Sequence, residues 1–77
     1  MFNNQEPEEI FTHNMLYLRK ERHWSQKETA KKLGIGILTL RRIEKGILPK
    51  WFRSSKIFTI SEVFDISVHD LFYTFLQ

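Results

Sequence analysis

The sequence predicts a small all-α domain of five helices. Apolar residues recur at steps of three and four along most of the chain, which is the spacing of one helix face. The three glycines stand singly, where helices are expected to end. No stretch alternates apolar and polar residues between turn dipeptides, as a half-buried strand would. With 77 residues, the chain has room for one domain only.

The first helix is predicted at residues 9–22. Its inward face carries apolar residues at steps of three and four: Ile10, Phe11, Met15 and Leu18. Residues 1–8 are predicted to form a flexible acidic tail, and residues 9–77 to form the domain. The N-terminus lacks the basic and apolar regions of a signal peptide, and no apolar run approaches the ~20 residues of a membrane span. We therefore expect neither secretion nor contact with a membrane.

Two short helices come next, separated by a three-residue turn. Ser25 is predicted to cap the second helix, at residues 26–33, because Glu28 completes the capping-box spacing. Gly34 ends this helix, since glycine readily takes the left-handed conformation found just past a helix end. The third helix is predicted at residues 39–45 and is closed by a glycine in the same way.

Serines mark the starts of the last two predicted helices. Ser54 or Ser55 is predicted to cap the fourth helix, which runs to about residue 64. Ser67 is predicted to cap the fifth helix, with Asp70 at the box position. Both helices are rich in apolar residues, so both are expected to pack against the domain core.

The fifth helix has more apolar residues than one buried face requires. They are Leu71, Phe72, Phe75 and Leu76. Two interpretations remain open. The residues complete the core of the same chain, or Phe72, Phe75 and Leu76 form a dimer interface, because exposed apolar patches usually mark interfaces.

Residues 25–46 carry the most specific signal in the chain. Ala30 is the small residue that a close crossing of two helices requires. Four apolar residues would form the inner face that fixes the crossing angle: Leu33, Ile35, Leu40 and Ile43. This pattern is typical of a helix-turn-helix, whose second helix lies in the major groove of DNA. From these residues alone, an ordinary helical hairpin in a bundle remains the alternative.

Basic charge is concentrated in the same part of the chain. Residues 11–50 carry ten Lys or Arg against three Glu, a net charge of +7, whereas the whole chain has +3. Such a block favours a polyanionic partner such as nucleic acid. Lysines and arginines spread over solvated helix faces would give the same count, so charge alone does not decide.

Residues that catalysis and metal binding need are missing or scattered. The sequence has no cysteine, and His13, His23 and His69 do not have the spacing of zinc ligands. Its glycines do not form a phosphate-binding loop. We therefore expect that the chain is not an enzyme and uses no metal or other cofactor. The absence of cysteine also points to a reducing compartment, the cytoplasm.

Several segments match one family pattern in order along the chain. They are Leu18 and Arg19, Ser25 and Gln26, Ala30, and residues 33–35, 39–46 and 64–72. Through them, about three-quarters of the chain resembles the lambda-repressor-like, Cro-type (XRE family) helix-turn-helix proteins. The resemblance implies a compact five-helix fold with the helix-turn-helix at helices 2 and 3. It also implies a small, repressor-like transcriptional regulator that binds double-stranded DNA, often as a homodimer.

The resemblance assigns roles in DNA binding to single residues. Gln26 corresponds to a residue that hydrogen-bonds a phosphate and supports the recognition helix. The residues expected to reach base edges are Ile37, Leu38, Thr39 and Arg42, with Arg41 beside them. Of these, Arg42 has the fork of donors that pairs with guanine. Lys45 and Lys50 are expected to face phosphates, and Lys27 is also expected to contact DNA.

The resemblance also implies an ion pair between the first and third helices. Arg19 and Glu44 stand at the two matching positions. Glu44 would otherwise be an isolated acid within a basic helix. We therefore expect the two side chains to form a buried or half-buried ion pair, whose loss would leave one charge uncompensated.

Several features depart from the family pattern. Ile37 and Leu38 stand where many relatives have polar residues, and apolar side chains carry no hydrogen-bond code for bases. Gly36 replaces the usual Ser or Thr cap of the third helix. A longer loop brings in Trp51 and Phe52, either as a small core or as an exposed patch. The apolar start of helix 3 keeps a second hypothesis open, a protein-binding adaptor or antitoxin-like module on the same fold.

Overall fold

The computed structural model describes residues 6–77, which form five helices. They are α1 Pro7–Glu21, α2 Gln26–Leu33, α3 Ile37–Glu44, α4 Ser54–Phe64 and α5 Val68–Tyr73. These residues contain no strand, and the predicted all-α class is confirmed. Residues 1–5, and with them most of the predicted acidic tail, lie outside the described residues. None of the helices within residues 6–77 is long and apolar enough to cross a membrane.

Helix α1 begins at Pro7, two residues before the predicted start at residue 9. Proline fits the first helical position because its ring fixes a helical φ and its missing N–H would have no partner there. The Glu6 backbone N–H donates to Glu9 Oε1 at 3.2 Å, which closes the first turn. Glu8 and Glu9 then lie at the N-terminus, where negative charge complements the helix dipole.

Two of the predicted serine caps are confirmed, and one is wrong. The Oγ atoms of Ser25 and Ser67 each accept a backbone N–H from the residue three positions on, at 3.0 Å. At α4, Ser54 and Ser55 are helical, and the cap residue is Arg53, whose side chain makes no cap hydrogen bond. The Arg53 carbonyl already accepts the first-turn N–H groups, so the helix starts before either serine can cap it.

Helix α5 ends at Tyr73, which places Phe75 and Leu76 outside it. The prediction of a helix through these two residues is therefore wrong. The cause is the fully buried side chain of Asn14 in α1. Its Nδ2 donates to the Thr74 carbonyl at 2.8 Å, and its Oδ1 accepts from the Leu76 N–H at 3.0 Å. These bonds hold the C-terminal segment in an extended conformation against α1.

The core lies between α1 and the other helices. Helix α1 packs on α5 and α3, and α4 packs on α2 and α5. Ten apolar side chains are buried: Phe11, Met15, Leu18, Ala30, Leu33, Leu40, Ile43, Ile60, Phe64 and Leu71. Four of them come from α2 and α3, so the two helices of the predicted helix-turn-helix share one core with the rest of the domain.

Candidate nucleic-acid interface

Helices α2 and α3 form a helix-turn-helix. Gly34 at the end of α2 has a φ of 70°, the left-handed conformation that glycine favours. Lys56 of α4 donates from Nζ to the Gly34 carbonyl at 2.8 Å, which ties the turn to α4. Ala30 is 4% exposed, and Leu40 and Ile43 are fully buried. One face of α3 is therefore fixed in the core, and the opposite face is left to solvent.

The solvent face of α3 carries most of the residues that were expected to reach base edges. Arg41 and Arg42 are exposed, and Thr39 is half-buried. Leu38 is 64% exposed. Ile37 instead packs against the core and is half-buried, so it offers a ligand less surface than Leu38 does.

The N-terminal end of α3 is weakly capped. The helix begins at Ile37, whereas the periodic pattern predicts a start at residue 39. The pattern fails here because Leu38 points an apolar side chain to solvent, off the inward stripe. Gly36 is the cap residue, as the resemblance implies, and no side-chain hydrogen bond is made at this end.

Arg19 of α1 and Glu44 of α3 lie together, at the other end of α3. Arg19 Nε and Nη2 donate to the two carboxylate oxygens of Glu44, the latter bond at 3.0 Å. Arg19 Nη1 donates to the Trp24 carbonyl at 3.0 Å. The side chains of Arg19 and Glu44 are 13% and 6% exposed, so the pair is largely removed from water.

Gln26, the first residue of α2, joins this ion pair to the exposed face of α3. Its Nε2 donates to Glu44 Oε1 at 2.9 Å. Its Oε1 accepts from Arg41 Nε at 3.2 Å. Sequence patterns do not predict the bond to Arg41, because it depends on how α2 and α3 cross. Four side chains therefore form one continuous network: Arg19, Glu44, Gln26 and Arg41.

The three lysines that are expected to bind DNA differ in their surroundings. Lys27 in the first turn of α2 and Lys45 after α3 are exposed. Lys50 is also exposed, but it lines a groove together with three carboxylates at the start of α1, those of Glu6, Glu8 and Glu9. Negative charge nearby lowers the positive potential around Lys50. Lys50 is therefore less suited to a phosphate than Lys27 and Lys45 are.

The three residues assigned to a dimer interface do not form one exposed face. Phe72 stacks on Phe11 with ring centroids 4.5 Å apart, and Leu76 packs against the core. Phe75 is 36% exposed, and its ring lies edge-on to His13 at 4.7 Å between centroids. Phe72 and Leu76 are half-buried, and each has packing partners within the chain.

The two tryptophans lie in unlike environments. Trp51, in the loop between α3 and α4, is 65% exposed. Its neighbour Phe52 is half-buried, with its ring centroid 6.5 Å from that of Phe11. Trp24 stacks on Phe64 at 5.5 Å between centroids. The loop therefore joins the core through Phe52 and exposes Trp51.

Known proteins identify the family to which this fold belongs. A helix-turn-helix family model matches residues 15–71. The chain belongs to the lambda-repressor-like helix-turn-helix family. It is similar to SinR in a solved SinR protein/SinI protein complex, with a TM-score of 0.70 and 30% identity over 83% of this chain. It spans 61% of the length of that chain. No curated protein matches the chain.

Family membership decides the broad class of function. The helix-turn-helix predicted at α2 and α3 is confirmed, and the chain is a DNA-binding regulator domain of the XRE type. Domains of this kind are not enzymes, which confirms the corresponding prediction.

Proposed function

We propose that this domain is a sequence-specific, repressor-like transcription regulator that reads the major groove of double-stranded DNA with α3. The observation that carries the proposal is the exposed position of Arg42 on α3, one turn beyond Leu38. The buried side chains of Leu40 and Ile43 hold the opposite face of α3 in the core. A guanidinium presented from such a rigid helix can donate two hydrogen bonds to guanine O6 and N7.

Phosphate contacts would supply affinity without sequence preference. Lys27, Arg41 and Lys45 are exposed on or next to the two helices of the motif. The net charge of +7 over residues 11–50 supports a polyanionic partner for this part of the chain. Affinity for any duplex is therefore expected to fall steeply with salt.

Arg42→Ala tests base recognition, and Lys45→Ala is its matched control. A preferred site is first selected from a random duplex library with the wild-type chain. Arg42→Ala should weaken binding to that site by about 1–3 kcal/mol and relax the preference at one base pair. Lys45→Ala should weaken binding to all duplex sequences alike and reduce the slope of log K against log salt by about one. If Arg42→Ala left both affinity and base preference unchanged, α3 would not be the base-reading helix.

A homodimer on a two-fold symmetric site is the second part of the proposal. It is supported by the resemblance, since many members of the family bind as dimers. It is also supported by exposed aromatic surface at the C-terminal end, where Tyr73 is 61% and Phe75 36% exposed. Sedimentation of the wild-type chain should show a dimer that Phe75→Ser weakens. A strictly monomeric chain, both free and on DNA, would contradict this part.

A protein-binding adaptor, or antitoxin-like module, is the alternative function. Leu38 favours it, because an apolar side chain that is 64% exposed on α3 is suited to a protein surface. SinR, to which the chain is similar, is found in a complex with the SinI protein. For an adaptor, Leu38→Ala should abolish partner binding and Arg42→Ala should have little effect. A DNA reader should show the opposite order in duplex binding.

A further inference from the structure

We propose that Gln26 is a positioning residue that holds Arg41 ready for a DNA phosphate and does not bind the phosphate itself. Arg41 acts here within the DNA-binding function proposed above, on which this assignment rests. The family pattern implies that the residue at position 26 supports the recognition helix and also bonds a phosphate directly, and Gln26 departs from the second of these roles. The difference comes from the network that joins Arg19, Glu44, Gln26 and Arg41.

Glu44 fixes the orientation of the Gln26 amide. A carboxylate can only accept hydrogen bonds, and Glu44 Oε1 accepts from both Arg19 Nη2, at 3.0 Å, and Gln26 Nε2, at 2.9 Å. Glu44 has little freedom to move, since its side chain is 6% exposed and both its oxygens are bonded to Arg19. The amide nitrogen of Gln26 therefore faces the interior, and the amide oxygen faces the exposed surface of α3.

The outward amide oxygen of Gln26 matches Arg41 and not a phosphate. Phosphate oxygens accept hydrogen bonds, so an amide oxygen turned toward them offers no bond. A guanidinium only donates, and Arg41 Nε donates to Gln26 Oε1 at 3.2 Å. An amide is the group that can join a buried carboxylate on one side to an exposed guanidinium on the other.

The bond to Gln26 leaves the two terminal nitrogens of Arg41 free to donate hydrogen bonds. It uses the single N–H on Nε, and the N–H groups on the two terminal nitrogens make no hydrogen bond within residues 6–77. Arg41 is exposed. Two parallel N–H donors on a held guanidinium match two oxygens of one phosphate, and a side chain held in advance loses less entropy on binding.

A double-mutant cycle in DNA affinity tests the assignment. Gln26→Met keeps a helix-forming side chain of similar length but removes both amide hydrogen bonds. Its affinity for random-sequence duplex should fall about three- to tenfold, the range expected for one hydrogen bond. Arg41→Ala should lower the affinity and reduce the salt slope by about one. Adding Gln26→Met to Arg41→Ala should cause no further loss.

Lys27→Met is the matched control for this cycle. Lys27 follows Gln26 in the same helical turn, and it makes no hydrogen bond to Arg41 among the described residues. The fold-loss of DNA affinity caused by Lys27→Met should therefore multiply with the fold-loss caused by Arg41→Ala in the double variant. Arg41→Lys keeps the charge, so it should keep the salt slope. Independent, multiplying losses for Gln26→Met and Arg41→Ala would show a direct phosphate contact and overturn the assignment.

A measurement without DNA separates this inference from the proposed function. In the free wild-type chain, the Arg41 Nε–H should give a slowly exchanging NMR signal that Gln26→Met removes while the chain stays folded. If that signal exchanged at the rate of a free arginine, the positioning role would fail, and base recognition by Arg42 would still stand. If Arg41→Ala, Arg42→Ala and Lys45→Ala all left DNA affinity unchanged, both proposals would fail.

Discussion

The two ends of α3 are built differently. At the C-terminal end, Glu44 is bonded to α1 through Arg19 and to α2 through Gln26. At the N-terminal end, Gly36 provides no side-chain cap, and Leu38 is 64% exposed. The exposed arginines of α3 therefore lie toward its anchored end, and its exposed leucine lies at the weakly capped end.

This difference separates two kinds of contact along one helix. A guanidinium recognises its ligand by direction, so it needs a backbone that does not move. An apolar side chain gains from burial in any orientation, because the hydrophobic effect is not directional. Uncapped N–H groups at a helix start make that end open more easily. Leucine tolerates such motion better than arginine does.

Removing Glu44, which holds the C-terminal end of α3, should have the largest effect on the free energy of unfolding. Glu44→Ala leaves the Arg19 guanidinium largely buried without its countercharge, so the free energy of unfolding should fall by about 3–5 kcal/mol. Chemical denaturation measures this loss. Replacing both partners, with Arg19→Met and Glu44→Leu, should recover much of it, because no buried charge then remains unpaired. A loss below ~1 kcal/mol for Glu44→Ala would mean that the pair behaves as an exposed one.

Two leucines of α3 compare its buried and exposed faces directly. Leu40 is fully buried, and Leu38 is 64% exposed. Leu40→Ala should lower the free energy of unfolding by about 2–5 kcal/mol, since it removes core contacts and leaves a cavity. Leu38→Ala should change it by less than about 0.5 kcal/mol. Equal losses in thermal unfolding would show that Leu38 also packs within the domain.

Strengthening the weak end should give the smallest effect. Gly36 has a φ of −71°, which serine adopts freely, and a Cβ there would meet only Thr39 Oγ1 at 3.9 Å. Gly36→Ser should therefore add a capping hydrogen bond and stabilise the chain by a few tenths of a kcal/mol. Amide hydrogen exchange in the first turn of α3 should slow down. Unchanged exchange rates there would mean that the end is already held by its packing.

Several helix ends set by neighbours in sequence could be predicted, although the cap of α4 and the start of α3 could not. The end of α5, which is set by a distant part of the chain, could not be predicted either. The caps at Ser25 and Ser67 and the stop at Gly34 each depend on residues within one helical turn. The end of α5 depends on the bond between Asn14 and Thr74, which stand 60 positions apart. No local pattern marks Asn14 as the residue that stops a helix at the other end of the chain.

In the candidate site, too, one contact could be predicted from the sequence and another could not. The resemblance places Arg19 and Glu44 at matching positions, so their pairing could be expected. It also assigns a phosphate to Gln26, because it compares single positions and not combinations. Whether Gln26 faces a phosphate or a protein side chain depends on the residue at position 41, where this chain has an arginine. That combination becomes visible only when α2 and α3 are placed against each other.

The unlike environments of the two tryptophans give the chain two separate optical reporters. Trp24, stacked on Phe64, should change its emission when the core comes apart. Trp51, which is 65% exposed, should emit at long wavelength in the folded chain and respond only to something that covers the loop. In Trp24→Phe, the remaining fluorescence would therefore follow binding near the loop, and in Trp51→Phe it would follow folding. The intrinsic fluorescence of the chain can thus follow both partner binding and unfolding without an attached dye.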